Sequence, residues 1–449
     1  MLASSALVLL MTPGLAFFYG GMVRSKSVLN MIMMSMSAMG IVGVLWVLYG
    51  YSEAFGNDIY HGLLGNPFEH FGLHGLFGGT YVATAGAKVD IPLVGTIPAT
   101  VFVAFQAMFA IITVALVSGA AADRLRFVPW LVFAGLWATV VYFPVAHWVF
   151  SANGVSAPVG GWINNQLKAI DFAGGTAVHI NAGAAGLALC LVLGKRRGWP
   201  REAMRPHNLP LVMLGAGLLW FGWFGFNAGS AVASNGVAGI TFINTTVATC
   251  TAMLSWLLVE RIRDGRPTSL GAASGVVAGL VAITPSCSSV SPLGAIVVGA
   301  VAGAVCALAV SLKFRLGFDD SLDVVAVHLF GGLAGTLLVG FLATTEAPAG
   351  VNGLFYGGGF DQLWRQAVAA FAVMIFSFVG ALVIALVVKH TIGLRLDVDA
   401  EQDGIDEAEH AEASYELGAI VTGGANSRAA VAASPSKIPA STGRKGEWR

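Results

Sequence analysis

Hydrophobic positions in this chain run on rather than alternate. Eleven apolar stretches lie near 2–21, 30–51, 98–121, 127–150, 171–194, 208–230, 239–260, 269–286, 292–312, 321–343 and 361–388. Each is of the length a helix needs to cross a hydrocarbon core of ~30 Å, about 20 residues. The pattern predicts an all-α polytopic membrane protein with eleven transmembrane helices. Polar residues collect in the connections, and the basic ones collect on one side. Sixteen lysines and arginines, from Arg24 to Arg395, fall in one set of connections, and only Lys88, Lys168 and Arg365 in the other. The positive-inside bias puts the N-terminus outside and the C-terminus in the cytoplasm, which an odd number of spans allows. The first stretch has no basic residue before it and Arg24 and Lys26 after it. A secretory signal carries its charge in front, so this stretch reads as an uncleaved helix.

Composition agrees and narrows the function. Charged residues make up 11% and hydrophobic ones 56%, with a mean hydropathy of +0.76, where soluble domains carry about 25% charge. The 58 glycines suit close helix packing in a membrane. No basic patch is interleaved with aromatics, so nucleic-acid binding has no support. Cys190, Cys250, Cys287 and Cys306 lie in or beside apolar stretches without metal-ligand or disulfide spacing. They read as small hydrophobes. His61, His70 and His74 sit irregularly in the Gly- and His-rich connection 52–97 and read as solvated side chains rather than a metal site.

Two histidines stand inside apolar stretches, each in the same small pattern. One copy is Ala177-Val178-His179 followed by Gly183 and Gly186; the other is Ala326-Val327-His328 followed by Gly332 and Gly335. An ionisable group inside a membrane is costly and marks function by default. His179 lies in the fifth stretch and His328 in the tenth, which run in opposite directions. The chain therefore reads as a 5+5 inverted repeat, about 1–195 and 205–345, with an eleventh helix added. His179 lies eight residues after Asp171, about 12 Å of helix, and His328 nine after Asp319, about 13 Å. The two rings are expected at one depth, stacked along a path. Two neutral imidazoles can share one proton and offer a small polar guest a hydrogen-bonding rail.

The string from Asp171 to Gly183, Asp-Phe-Ala-Gly-Gly-Thr-Ala-Val-His-Ile-Asn-Ala-Gly, resembles the signature of the ammonium transporter family (the Amt/Mep/Rh superfamily, bacterial Amt branch). The match extends to Thr12-Pro-Gly-Leu-Ala-Phe-Phe-Tyr-Gly-Gly21, Pro206-His-Asn-Leu-Pro210, Trp223-Phe-Gly-Phe-Asn-Ala-Gly-Ser230, Thr284-Pro-Ser-Cys287 and Asp323-Val-Val-Ala-Val-His328. It covers roughly residues 1–416 in order. The resemblance implies a homotrimer in the cell membrane with one conduction path per subunit. It also implies ammonium or ammonia as the substrate, methylammonium as an analogue, and no cofactor or metal.

The resemblance assigns roles residue by residue. His179, His328, Trp223 and Thr284 would line the pore. Phe105, Phe150 and Ser230 would recruit ammonium through cation–π attraction and one hydroxyl acceptor. The family often has Trp at the position of Phe150, so recruitment here is expected to be weaker. Phe109 and Phe226 would stack as an outer gate. Asp171 either caps its helix, where a carboxylate suits the dipole, or assists deprotonation. The tail 393–416, with Gly404, Asp406 and His410, would be an ordered regulatory element. It is expected to dock on a basic surface that includes Lys195, Arg196, Arg197, Arg261, Arg263 and Lys313, where a cytoplasmic PII-type signalling protein could reach the pore. Residues 417–449 read as disordered. The alternatives are an ammonium sensor, which a long signalling domain would favour, and a membrane metalloenzyme. Two histidines alone are an incomplete metal site.

Overall fold

An α-helix satisfies its backbone N–H and C=O groups within one segment, as hydrocarbon demands. The computed structural model, which describes residues 1–77 and 91–415, is built from such helices. They are α1 (Leu2–Met22), α2 (Val28–Phe55), α3 (Ala99–Ala121), α4 (Phe127–Phe150), α5 (Gly175–Leu193), α6 (Leu209–Ala231), α7 (Gly236–Arg263), α8 (Ser269–Ile283), α9 (Pro292–Leu316), α10 (Val325–Leu342) and α11 (Asp361–Thr391). Ten are long and apolar enough to span a membrane; α8, with 15 residues, is shorter. It was expected to reach residue 286. Pro285 stops it, because proline has no N–H to continue the i→i−4 ladder. A short hairpin of β1 (Leu93–Val94) and β2 (Ile97–Pro98) precedes α3.

The interior belongs to α5. In its apolar window 83% of the residues are buried, against 33% in α2, α7 and α11. Both α5 and α10 start four residues later than the sequence suggests. Each opens with a π-helical turn, Gly175–Ile180 in α5 and Val325–Leu329 in α10, and each turn carries one of the two histidines. π turns occur mostly at functional sites. The helices cross at the glycine four residues after each histidine. A Cβ on Gly183 would stand 2.4 Å from the Leu329 backbone nitrogen, and one on Gly332 would stand 3.1 Å from the Cβ of His179. The repeated glycines thus allow two backbones to approach until the rings meet.

Two short helices follow α11 and pack on the same end of the bundle: α12 (Val398–Asp403) and α13 (Ile405–His410). The chain first pairs with the α3–α4 connection, Arg126 N donating to Leu394 O (3.1 Å) and Leu396 N to Arg124 O (3.0 Å). The Asp406 carboxylate accepts from Leu29 N (3.0 Å) and Asn30 N (2.8 Å), capping the first turn of α2. His410 Nε2 lies 3.0 Å from Asn30 Oδ1, and its ring stands edge-on to Phe127 at 5.0 Å. Gly404 has φ 133°, and a Cβ there would meet Lys26 Cβ at 2.9 Å. Glu401 accepts from Arg197 N and from Arg395 Nη2, both at 2.7 Å.

Docking therefore uses caps and backbone pairing more than the expected basic surface. Arg196 is already held by Asp123 and Asp319, Arg263 by Asp264, and Lys313 by Asp323. Residues 416–449, including the last of the expected tail element and the segment expected to be disordered, lie outside the described residues, as does Lys88.

Gly183→Ala is expected to destabilise the protein by about 1–3 kcal/mol, because rigid backbone faces the added methyl. Gly186→Ala should be milder, since its nearest neighbours are the side chains of Ala120 and Val324 at 3.1 Å. Thermal unfolding of the two purified variants in one detergent compares them directly.

Candidate functional site

A cavity of about 520 Å³ opens at the end of the bundle opposite the tail. Its wall includes Phe102, Gln106 and Phe109 of α3, Phe150 at the end of α4, Asp171, and Ser230 of α6. Ser230 Oγ donates to Phe226 O at 2.8 Å, which leaves its lone pairs free to accept. Phe105 is fully buried behind Phe109, ring centroids 4.8 Å apart, and is not part of this wall. Trp148 faces away: its Nε1 donates to Leu63 O at 2.8 Å and its ring packs on Phe376 at 4.7 Å.

Beneath the cavity the rings form a column. Phe109 and Phe226 stack at 4.1 Å and 21°, closing the floor. Phe226 lies 6.2 Å from His179, Trp223 stacks on His179 at 5.4 Å, and His179 stacks on His328 at 5.4 Å. The two Nδ1 atoms are 3.3 Å apart. Beside these rings is a space of about 10 Å³, lined also by Leu15, Val178 and Leu219. That is room for about one water-sized molecule. Both histidines are buried, and His179 Nε2 has no protein partner. If both rings are neutral, one Nδ1 donates to the other. The donating ring then presents a bare Nε2 acceptor and its partner an Nε2–H donor. The pair can accept from a guest and donate to it.

Trp223 is held by its indole nitrogen, which donates to Thr284 Oγ1 at 2.9 Å; Thr284 in turn donates to Leu280 O at 2.7 Å. Thr284 is thus an anchor behind Trp223 and not part of the wall assigned to it from the sequence.

Asp171 caps the π turn of α5. Its Oδ1 accepts from Gly174 N (2.9 Å) and Gly175 N (2.5 Å). Its Oδ2 accepts from Thr176 N (2.8 Å), Ala177 N (3.2 Å) and the Thr176 hydroxyl. Five donors fill the roughly four lone-pair positions of a carboxylate, so none is left to take a proton from a guest. The reading of Asp171 as a base loses to the reading as a cap, although its charge still faces the cavity.

Asp320 does the same for α10, accepting from Val324 N (3.2 Å) and Val325 N (2.7 Å). Complete burial and the nearby Asp323 push its carboxyl above the usual carboxylate range. The sequence reading passed over Asp320 for Asp319, yet the signal was present: Asp320 precedes His328 by eight residues, as Asp171 precedes His179. Asp319 instead takes Arg196 (2.9 Å) and, through its carbonyl, Arg124 (2.6 Å). Asp323 pairs with Lys313 at 2.7 Å, as a structural residue would.

The apolar bundle, the two capped π turns and the paired imidazoles define a polytopic membrane transporter. A sequence profile of the Ammonium Transporter Family matches residues 1–415. The chain is similar to the ammonium transporter of Mycobacterium tuberculosis strain ATCC 25618 / H37Rv, 70% identical over 433 residues that cover 94% of this chain and 90% of that one. Among solved structures it is similar to Saccharomyces cerevisiae Mep2, with a TM-score of 0.79, 34% identity, and coverage of 88% of this chain and 86% of that one. A structure named Sensor Amt Protein gives a TM-score of 0.80 at 28% identity, over 91% and 96% of the two chains. The chain belongs to the ammonium transporter family, whose members transport rather than catalyse.

Asp171→Ala is expected to lower stability by about 1–2 kcal/mol, as loss of a helix cap does, and to misplace His179. Thermal unfolding checks this; an unchanged midpoint would show that the five hydrogen bonds contribute nothing.

Proposed function

We propose that this protein brings ammonium across the cell membrane by recruiting NH4⁺ outside and conducting NH3 inward. The observation that carries the proposal is the closed Phe109–Phe226 stack lying directly above a buried histidine pair in which His179 Nε2 has no protein partner. In the 520 Å³ cavity the cation meets the faces of Phe109 and Phe150 and a free lone pair of Ser230. A bare charge in the dry path below would be heavily penalised. Ammonium escapes that penalty by leaving its proton in the wet cavity. Ammonia, about the size of water, then fits the space beside His179 and His328 and exchanges hydrogen bonds with their Nε2 atoms. The proton shared between the Nδ1 atoms provides a separate route for an excess proton. Potassium can neither shed a proton nor donate a hydrogen bond, so it stays out.

The same reading gives the rest of the assembly. The cavity faces outside and the tail lies in the cytoplasm, following the basic side. Each subunit of a homotrimer carries one path. The docked segment 394–410 holds the cytoplasmic ends of α2, α4 and α5 in place and regulates conduction, and a PII-type signalling protein binds on that face. Support comes from the capping of α2 by Asp406 and the pairing with residues 124–126.

Replacing both His179 and His328 with alanine is expected to cut ammonium uptake at least about tenfold, the loss of roughly one hydrogen bond's net stabilisation in the path, while assembly persists. Uptake by reconstituted protein measures it; retained uptake together with retained potassium exclusion would refute the pore reading. Deleting residues 393–449 is expected to reduce transport without dissolving the trimer, whereas deleting 420–449 leaves it unchanged. Equal activity of both truncations at matched membrane levels would remove the tail from the mechanism.

A further inference from the structure

Gln106 is a polar residue in the middle of an apolar membrane helix, and nothing said so far explains it. It occupies the cavity-facing stripe of α3 together with Phe102 and Phe109, positions related by four and three residues and therefore on one face. The residue is nine-tenths buried, at 9% exposure. Its side-chain amide makes no hydrogen bond to any described residue and is not fully enclosed, so it opens onto the cavity. It lies on the wall of the 520 Å³ cavity, which also carries Asn164 and Ser230. Asn164 donates its Nδ2 to Val149 O at 2.9 Å, so its carbonyl oxygen is the group left for other partners.

The physical requirement of the guest fits this arrangement. Ammonium carries four N–H donors at tetrahedral angles. Aromatic faces satisfy the charge diffusely, and Ser230 Oγ accepts one proton. The remaining donors need fixed acceptors, or else water must follow the ion to the floor. An amide carbonyl supplies a strong neutral acceptor without a fixed negative charge that would hold the cation in place. Asp171 cannot serve, because its own backbone donors occupy both of its oxygens.

We infer that the Gln106 carbonyl is a direct ammonium ligand of this cavity, acting with Ser230, and that it sets the preference for ammonium over its methylated analogue. The inference rests on the cavity being the recruitment site. Gln106 lies on the same stripe of α3 as Phe102 and Phe109, so the acceptor and the phenyl rings are offered to the cation together. Methylammonium has three N–H donors and one methyl group. The methyl packs against the rings, and the ion depends less on a further acceptor.

The test compares Gln106→Leu, Gln106→Asn and Ser230→Ala in reconstituted protein, measuring half-saturation for ammonium and for methylammonium. A hydrogen bond to a charged group is worth enough that its loss in a partly wet cavity should raise half-saturation for ammonium about tenfold. The expected result is that Gln106→Leu does this for ammonium and changes methylammonium much less, so that the ratio between the two substrates falls. Gln106→Asn should recover part of the loss. A merely structural role for Gln106 would move both substrates alike, and that outcome overturns the inference. If Ser230→Ala shifts half-saturation but Gln106→Leu does not, the inference fails while the cavity keeps its role. If neither changes it, recruitment happens elsewhere and the underlying reading fails first. Should Gln106→Leu not assemble, Gln106→Asn and Gln106→Met carry the same comparison of the two substrates.

Discussion

Two imidazoles whose Nδ1 atoms are held 3.3 Å apart inside an apolar bundle constrain the structure around them. They belong to helices of opposite direction, so the backbones must cross closely, and Gly183 and Gly332 stand at that crossing. The helices must also begin at the right depth, and each begins with a π turn capped by an aspartate eight residues before its histidine. The rings need a flat neighbour, which Trp223 provides while Thr284 holds its indole nitrogen. Each of these features makes sense as a support for the pair and little sense without it.

The environment of the pair explains its chemistry. Phe109 and Phe226 shut the path from the wet cavity, and apolar side chains line the space beyond. In such surroundings an ion loses its hydration with no equivalent in return, whereas a neutral hydrogen-bonding molecule loses little. In the proposed mechanism, selectivity follows from whether a solute can become neutral, not from its radius. The two ends of the molecule use different physics: polar and aromatic groups of the cavity at one, and buried Arg–Asp pairs with the docked tail at the other. Arg124 and Arg196 fix the loop that leads to Asp320, so the tail, pairing with the Arg124 backbone, touches the same support as His328.

Much of this was legible in the sequence because hydrocarbon leaves few choices. Long apolar stretches had to be helices, and the eleven predicted ones are all present. The repeated Val-His with glycine four residues on marked both the rings and their crossing. Hydrogen bonding at helix ends was legible only in part: Asp171 as a cap was one of two readings, and Asp320 was passed over. Asp171 and Asp320 displace the helix starts by four residues, and no periodicity records that. Phe105 and Phe109 share a face by spacing, yet only Phe109 reaches the cavity, since side-chain direction in a helix is finer than a four-residue step. Thr284 looked like wall and proved to be an anchor. The tail's acidic residues were expected to dock on a basic surface, but Asp406 and Glu401 act on backbone N–H groups, which carry no sequence signal.

The central claim is that the substrate crosses the histidine pair without its charge. It is tested most directly by comparing, in liposomes containing the unaltered protein, the flux driven by an ammonium gradient with the flux driven by an equal gradient of potassium, an ion of similar size that has no proton to lose. The account predicts saturable ammonium flux and no potassium flux above that of protein-free liposomes. Potassium flux approaching that of ammonium would mean that ions pass the Phe109–Phe226 stack intact, and the account would be wrong.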